Sequence, residues 1–181
     1  MNGKQLKNSI LQWAIQGKLV PQDPNDEPAS VLLERIRAEK ARLVKEKKIK
    51  KDKNESIIYR GEDNSYYEKF LATREVKCIG EEIPFEIPAT WEWCRLLSIV
   101  SLLGDGIHGT PEYSEGGSVY FINGNNLFDG QILIKPDTKT VSKEEAVKHS
   151  RLLNESTVLV SINGTIGNIA FYSGENVILG K

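Results

Sequence analysis

Residues 104–134 constrain this chain most, because they offer little to bury and much to hydrogen-bond with. Gly104, Gly106 and Gly109 open the stretch, interleaved with His108, Thr110 and then Tyr113. A strand-like apolar segment at 118–122 runs into the Asn-rich turn Asn123-Gly124-Asn125-Asn126. Glycines there let the backbone take left-handed or close-approach conformations. Asn side chains pair bidentately with adenine, and Thr or Tyr hydroxyls reach base edges or phosphates. The same residues also suit ordinary surface loops joining strands.

The chain has 181 residues, enough for one or two domains with a real core. No apolar run reaches the roughly 18–20 residues of a bilayer span. The N-terminus carries no signal-peptide pattern. Cys78 and Cys94 stand at no metal or redox spacing. These features together read as a cytoplasmic protein with reduced thiols. The overall charge of −1 hides an asymmetry. Residues 1–80 hold 17 Lys and Arg against 12 Asp and Glu, while residues 81–181 hold 7 against 13. Charge alone therefore suggests a boundary near residue 80.

Leu6, Ile10, Leu11, Ala14 and Ile15 share one face of a helix, with Trp13 at its edge and Gly17 as the stop. Pro21 and Pro24 mark a loop. Asp26 reads as an N-cap, with Glu27 and Pro28 in the first turn of a second helix. That helix should turn Leu32, Leu33, Ile36, Leu43 and Val44 inward and run to about Glu46, making an αα-hairpin with the first. The basic run at 45–53 reads either as a solvated helix end or as a sequence-blind phosphate contact.

Residues 57–59 and 66–67 flank Gly61-Glu62-Asp63-Asn64, which suggests a hairpin. Trp91, Trp93 and Arg95 alternate with Glu92 and Cys94 in an extended segment with its tryptophans as an anchor, followed by a short helix over 96–103. Residues 131–134 read as a strand. Ser142-Lys143-Glu144-Glu145 fits a capping box, opening a helix to about Ser150. Residues 157–162 and 167–172 should pair across Asn163-Gly164, the strongest hairpin-turn signal read here. A last strand covers 177–179. The expected class is α+β: a helical hairpin, then a strand-rich α/β domain.

Several apparent motifs carry no chemistry. Gly104-x-Gly106-x-x-Gly109 spells a dinucleotide fingerprint, but Thr110-Pro111 follows where a helix is needed. Gly164-Thr165-Ile166-Gly167 resembles a KH-domain loop placed in a hairpin instead of between helices. His108 and His149 have no Cys or His at metal-ligand spacing. No catalytic constellation emerges, which favours a binding protein over an enzyme.

Residues 6–22, from Leu6-Lys7-Asn8-Ser9-Ile10-Leu11-Gln12-Trp13 to Leu19-Val20-Pro21-Gln22, resemble a segment of type I restriction enzyme specificity subunits. Asn25-Asp26-Glu27-Pro28-Ala29 and Leu32-Leu33-Glu34-Arg35-Ile36 continue the resemblance. So do Ile87-Pro88-Ala89-Thr90-Trp91, Gly109-Thr110-Pro111, Tyr120-Phe121-Ile122, Asn125-Asn126-Leu127 and Val158–Gly167. Most of 4–44 and 84–170 is covered, while 45–83 is generic.

The resemblance implies a non-catalytic subunit that reads double-stranded DNA and docks methyltransferase subunits, with a separate restriction/translocase subunit cutting DNA. S-adenosylmethionine, ATP and Mg2+ are then expected on those partners and no cofactor in this chain. Residues 1–53 become the docking and spacer region, 54–83 a connecting segment, and 84–181 a target-recognition domain, incomplete if the chain is a fragment. A natural half-subunit would form a homodimer and read a symmetric site. The base-contacting candidates are His108, Thr110, Tyr113, Asn123, Asn125 and Asn126, then Asn163 and Thr165, with Lys135 and Lys139 as flanking cations. Lys143, Lys148 and Arg151 are further cations nearby. Residues 104–134 hold no Lys or Arg but four acids, so phosphate affinity should be weak in the isolated chain. The acidic second half also suits another class, a helical adaptor that docks a protein and binds no nucleic acid.

Overall fold

The computed structural model describes residues 2–180; Met1 and Lys181, the outer ends of the expected domains, lie outside the described residues. Two compact units are present, Met1–Leu103 and Gly104–Lys181. Helices and strands are both present, as an α+β class requires. Among the described residues no helix is long and apolar enough to cross a membrane.

In the first unit, α1 spans Gly3–Ile15. Asn2 and Gln5 close its start reciprocally: each side-chain oxygen accepts from the other's backbone N–H at 2.9 Å. Gly17, at φ 67°, ends it where the sequence places the stop. The apolar face forms but stays uncovered, with Leu6, Ile10, Leu11, Trp13 and Ile15 each 41–55% exposed.

Helix α2 spans Ala29–Lys45 and is capped by Pro28, not by Asp26. Proline disfavours helical backbone in the residue before it, so Glu27 cannot open the helix and the start moves downstream. The Ala29 N–H donates instead to the Thr90 carbonyl at 2.9 Å. Leu33, Ile36, Leu43 and Val44 are half-buried as expected, whereas Leu32 is exposed. Neither helix fully buries a residue, so the apolar seam of an αα-hairpin is not sealed.

The segment 54–83, generic in sequence, holds a three-stranded antiparallel sheet in the order β1-β2-β3. Its strands are β1 (Ser56–Arg60), β2 (Tyr66–Phe70) and β3 (Val76–Cys78). The expected hairpin is β1–β2, with Tyr59 opposite Tyr67. Glu68 of β2 is buried and meets Arg95 through two hydrogen bonds, at 3.0 and 2.5 Å. Ser56 Oγ donates to the same carboxylate at 2.5 Å. Arg95 also reaches Glu82 at 2.8 Å, so one guanidinium joins the sheet to the loop after it. The Arg95 charge, opposed by partial desolvation, holds the Glu68 carboxyl below its ordinary range. Trp93 packs against Phe85 with ring centroids 5.2 Å apart, and the Trp91 indole donates to Gln22 at 2.8 Å. The helix after them, α3, is only Leu96–Ile99.

In the second unit, β4 (Val119–Ile122) is the middle of a three-stranded sheet. It is antiparallel to β7 (Thr140–Val141) and parallel to β10 (Val177–Leu179). Strand alternation sends Val119 to one apolar cluster, with Val141, Ala146 and Ile178. It sends Ile122 to a second, with Leu127, Ile132, Leu159 and Ala170. Helix α4 (Lys143–His149) covers the first cluster, and the Ser142 hydroxyl caps it by accepting from the Glu145 N–H at 3.1 Å. Glu145 does not return a cap bond; it is buried and accepts from the Glu112 N–H, Lys148 and His149.

Two hairpins complete this unit. Strands β5 (Leu127–Phe128) and β6 (Gln131–Ile132) pair across Asp129-Gly130, both at positive φ (48° and 78°). This is the two-residue turn that matches strand twist. Strands β8 (Val158–Val160) and β9 (Ile169–Phe171) also pair as expected, but not across a tight Asn163-Gly164 turn. Residues 161–168 form one longer loop around Ser161, which is buried. The Ser161 hydroxyl accepts from the Asn168 N–H at 2.9 Å and donates to the Thr165 carbonyl. Those bonds satisfy the loop backbone without a tight turn, which is why the Asn-Gly signal misplaced the strand ends.

Candidate functional site

An open cleft of about 530 Å3 lies wholly in the second unit. The turn at the end of β4 builds one wall. The Asn123 side chain accepts from the Asn125 N–H at 3.0 Å, and Asn126 Oδ1 accepts from the Asn123 N–H at 3.2 Å. This reciprocal cap stiffens the short 3-10 turn Gly124–Asn126. The segment after β6 builds the opposite wall, where Lys135 Nζ donates to the Asn125 carbonyl at 2.8 Å. Thr138 fixes that segment by accepting from the Lys135 N–H at 2.8 Å.

The cleft brings together six of the residues singled out in the sequence: Tyr113, Asn123, Asn125, Asn126, Lys135 and Lys139. Their chemistry differs. Asn126 is buried, and its Nδ2 donates to the Leu133 carbonyl at 2.9 Å and to Thr138 Oγ1 at 3.1 Å. Both amide hydrogens are thus engaged, and Asn126 clamps the two walls together. Asn125 is exposed, and its hydrogen bonds run through its backbone, which leaves the side-chain amide facing solvent. Tyr113 is 46% exposed and leans on Phe121 with ring centroids 5.9 Å apart.

The remaining candidates do not line the cleft. His108 is exposed and pairs with Asp105 at 2.6 Å, and Thr110 is exposed nearby. Asn163 and Thr165 are exposed on the 161–168 loop. Among the other cations, Lys148 is held by Glu145 at 2.6 Å and Arg151 donates to the Asp105 carbonyl at 3.2 Å. Lys148, chiefly, and the Glu112 N–H draw the Glu145 carboxyl down to about 2. Among the described residues no group of three or more His, Cys, Asp or Glu side chains is placed to hold a metal ion.

Asn168, Phe128 and Thr138 line the cleft without having been singled out. Asn168 Nδ2 donates to the Gly124 carbonyl at 3.1 Å and so joins the 161–168 loop to the Asn turn. A Cβ on Gly124 would stand 2.8 Å from Ser161 Cβ, so the glycine is what lets the two loops touch. Pro136-Asp137 before Thr138 was a legible turn signal. Nothing local marks Asn168, whose partner is far away in sequence. The fingerprint-like glycines fall elsewhere: the Ile107 N–H donates to the Leu179 carbonyl at 2.8 Å, and a Cβ on Gly106 would collide with the Gly180 carbonyl. Gly106 thus serves a sheet edge, and no helix follows directly after the three glycines.

The chain is 38% identical over 163 residues to the specificity subunit of the type I restriction enzyme EcoAI from Escherichia coli, covering 90% of this chain and 24% of that protein. It is 33% identical over 161 residues to the EcoEI specificity subunit from the same species, covering 88% of this chain and 24% of that one. No family model matches, and no solved structure matches. The resemblance read from the sequence is therefore borne out: across nine tenths of its length this chain is a relative of type I restriction enzyme specificity subunits, and it spans about a quarter of theirs.

Proposed function

We propose that this chain is the DNA-reading part of a non-catalytic specificity subunit, and that it selects the site at which partner subunits methylate adenine and cleave DNA. One observation carries the reading: the cleft that gathers Tyr113, Asn123, Asn125, Lys135 and Lys139 lies in a chain matching specificity subunits over nine tenths of its length. Exposed amide and phenol groups can discriminate base edges, each good bidentate pair being worth about 1–3 kcal/mol. Residues 84–181 act as the target-recognition domain, with the reading surface in the unit from Gly104 onward. Residues 1–53 dock methyltransferase subunits, and 54–83 connect the two. S-adenosylmethionine, ATP and Mg2+ belong to the methyltransferase and restriction/translocase partners, and the assembly works in the cytoplasm.

The second unit carries six Lys and Arg against nine Asp and Glu, so the phosphate attraction that dominates DNA affinity comes from outside it. The test is a segment exchange. The part of the EcoAI specificity subunit that matches residues 104–181 is replaced by those residues, and methylated adenines are mapped across the host genome. A changed half-site is the expected result. An active enzyme that still methylates the original site contradicts the reading.

A further inference from the structure

We propose that the lysine-rich segment following α2 is a sequence-blind grip on DNA phosphates, an inference that takes its ligand from the DNA-reading function above. Lys45, Lys47, Lys48, Lys50, Lys51 and Lys53 crowd into residues 45–53 against only Glu46 and Asp52. Lys48 pairs with Glu46 at 2.8 Å. The other five are exposed and, among the described residues, in no ion pair.

Most arginines of this unit are paired instead. Arg35 pairs with Glu27, Arg37 with Glu55, Arg42 with Glu39 and Glu46, Arg60 with Glu86, and Arg95 with Glu68 and Glu82. Lys4, Lys7, Lys18, Lys40, Lys69 and Arg74 also stand in no ion pair among the described residues, but they are spread from residue 4 to residue 74, whereas 45–53 packs five such lysines into nine residues. Lysine is a strongly hydrated point charge that asks for no fixed geometry, which suits phosphates met at any sequence.

The backbone holds this segment in a defined place. Lys47 sits at φ 58°, with its N–H on the Val44 carbonyl at 3.0 Å and the Lys48 N–H on the Leu43 carbonyl at 2.9 Å. That is the helix-closing turn in which glycine is the usual residue. A long cation occupies it here despite the steric cost of left-handed backbone. Beyond it Ile49 is half-buried, and Asp52 Oδ1 accepts from the Asn54 N–H at 2.8 Å just before β1 begins. The lysines thus project from a short span tied to α2 at one end and to the sheet at the other.

DNA is the ligand this arrangement fits best, because the reading cleft lacks what the segment has. Of the two lysines lining the cleft, Lys135 is tethered to the Asn125 carbonyl. Base discrimination needs a phosphate-driven encounter to act upon.

The test measures binding of the whole chain to a random-sequence duplex by fluorescence anisotropy between 50 and 200 mM salt. Each lysine on a phosphate contributes about 0.9 to the slope of log K against log salt. The variant K47Q/K50Q/K51Q/K53Q should flatten that slope by about 3 to 4 and weaken binding at 50 mM salt at least about tenfold, equally for every duplex. Its unchanged circular dichroism and thermal midpoint would show that the fold persists, since all four side chains are exposed. An unchanged slope, no duplex binding by the parent chain, or a loss seen with heparin but not with DNA would each overturn the proposal. Asn125→Ala should leave the random-duplex slope alone. A flattened slope in the lysine variant therefore stands even if the segment exchange fails to move the methylated site.

Discussion

Asn168 hands its side-chain N–H to the Gly124 carbonyl at 3.1 Å, across a separation of 44 residues in the chain. The bond makes one wall out of two loops that the sequence presents as unrelated. Asn168→Ala should cost about 1 kcal/mol in urea denaturation, the ordinary loss for a half-buried hydrogen bond. Gly124→Ala should cost more, about 1–3 kcal/mol, because the new methyl meets Ser161 Cβ at 2.8 Å with little room to yield. If Gly124→Ala is neutral, the two loops are not in contact in solution.

Acid should weaken the second unit through Glu145. Its folded carboxyl is drawn down to about 2, chiefly by Lys148, against an unfolded value of about 4.3. The stabilisation is present above the unfolded value and is lost as pH falls from about 5 towards 2. Glu145→Gln removes this contribution. The thermal midpoint of the variant should lie below that of the parent chain at pH 7, and the two should converge as pH approaches 2. A constant gap across that range would contradict the assigned cause.

The Asp129-Gly130 turn gives a backbone test. Gly130 stands at φ 78°, so Gly130→Ala should destabilise by about 1–2 kcal/mol through left-handed strain alone. Its new Cβ would meet Phe171 only at ordinary contact distance, 3.7 Å. Asp129→Gly should be tolerated. Equal effects of the two substitutions in urea denaturation would argue against the turn described.

The same turn shows what the sequence could and could not say. Asp129-Gly130 and Asn163-Gly164 carry the same local signal, yet only the first closes a two-residue hairpin. The second is overridden by Ser161, whose buried hydroxyl organises a longer loop. Local patterns did locate α1 and its stop, the β1–β2 hairpin, β4, the Ser142 cap and β10, since periodicity and caps act within a few residues. Asp26 lost its cap role to a proline effect two residues on. The cleft was half legible. Residue chemistry pointed to Asn123 and Asn125, but Asn126 has the same side chain and faces inward. Which neighbour turns in depends on Leu133 and Thr138, contacts that no local reading supplies.

On the proposed reading, exposed neutral groups in the cleft sort base pairs and carry more of the discrimination than polar residues of the same unit outside it. The segment-exchanged subunit allows a direct comparison by mapping methylated adenines. One variant carries Tyr113→Ala, Asn123→Ala and Asn125→Ala; the other carries His108→Ala, Thr110→Ala and Thr165→Ala. The first is expected to relax or shift one position of the methylated half-site, while the second keeps the parent site. An unchanged site in the first variant, or a shifted site in the second alone, would contradict the account.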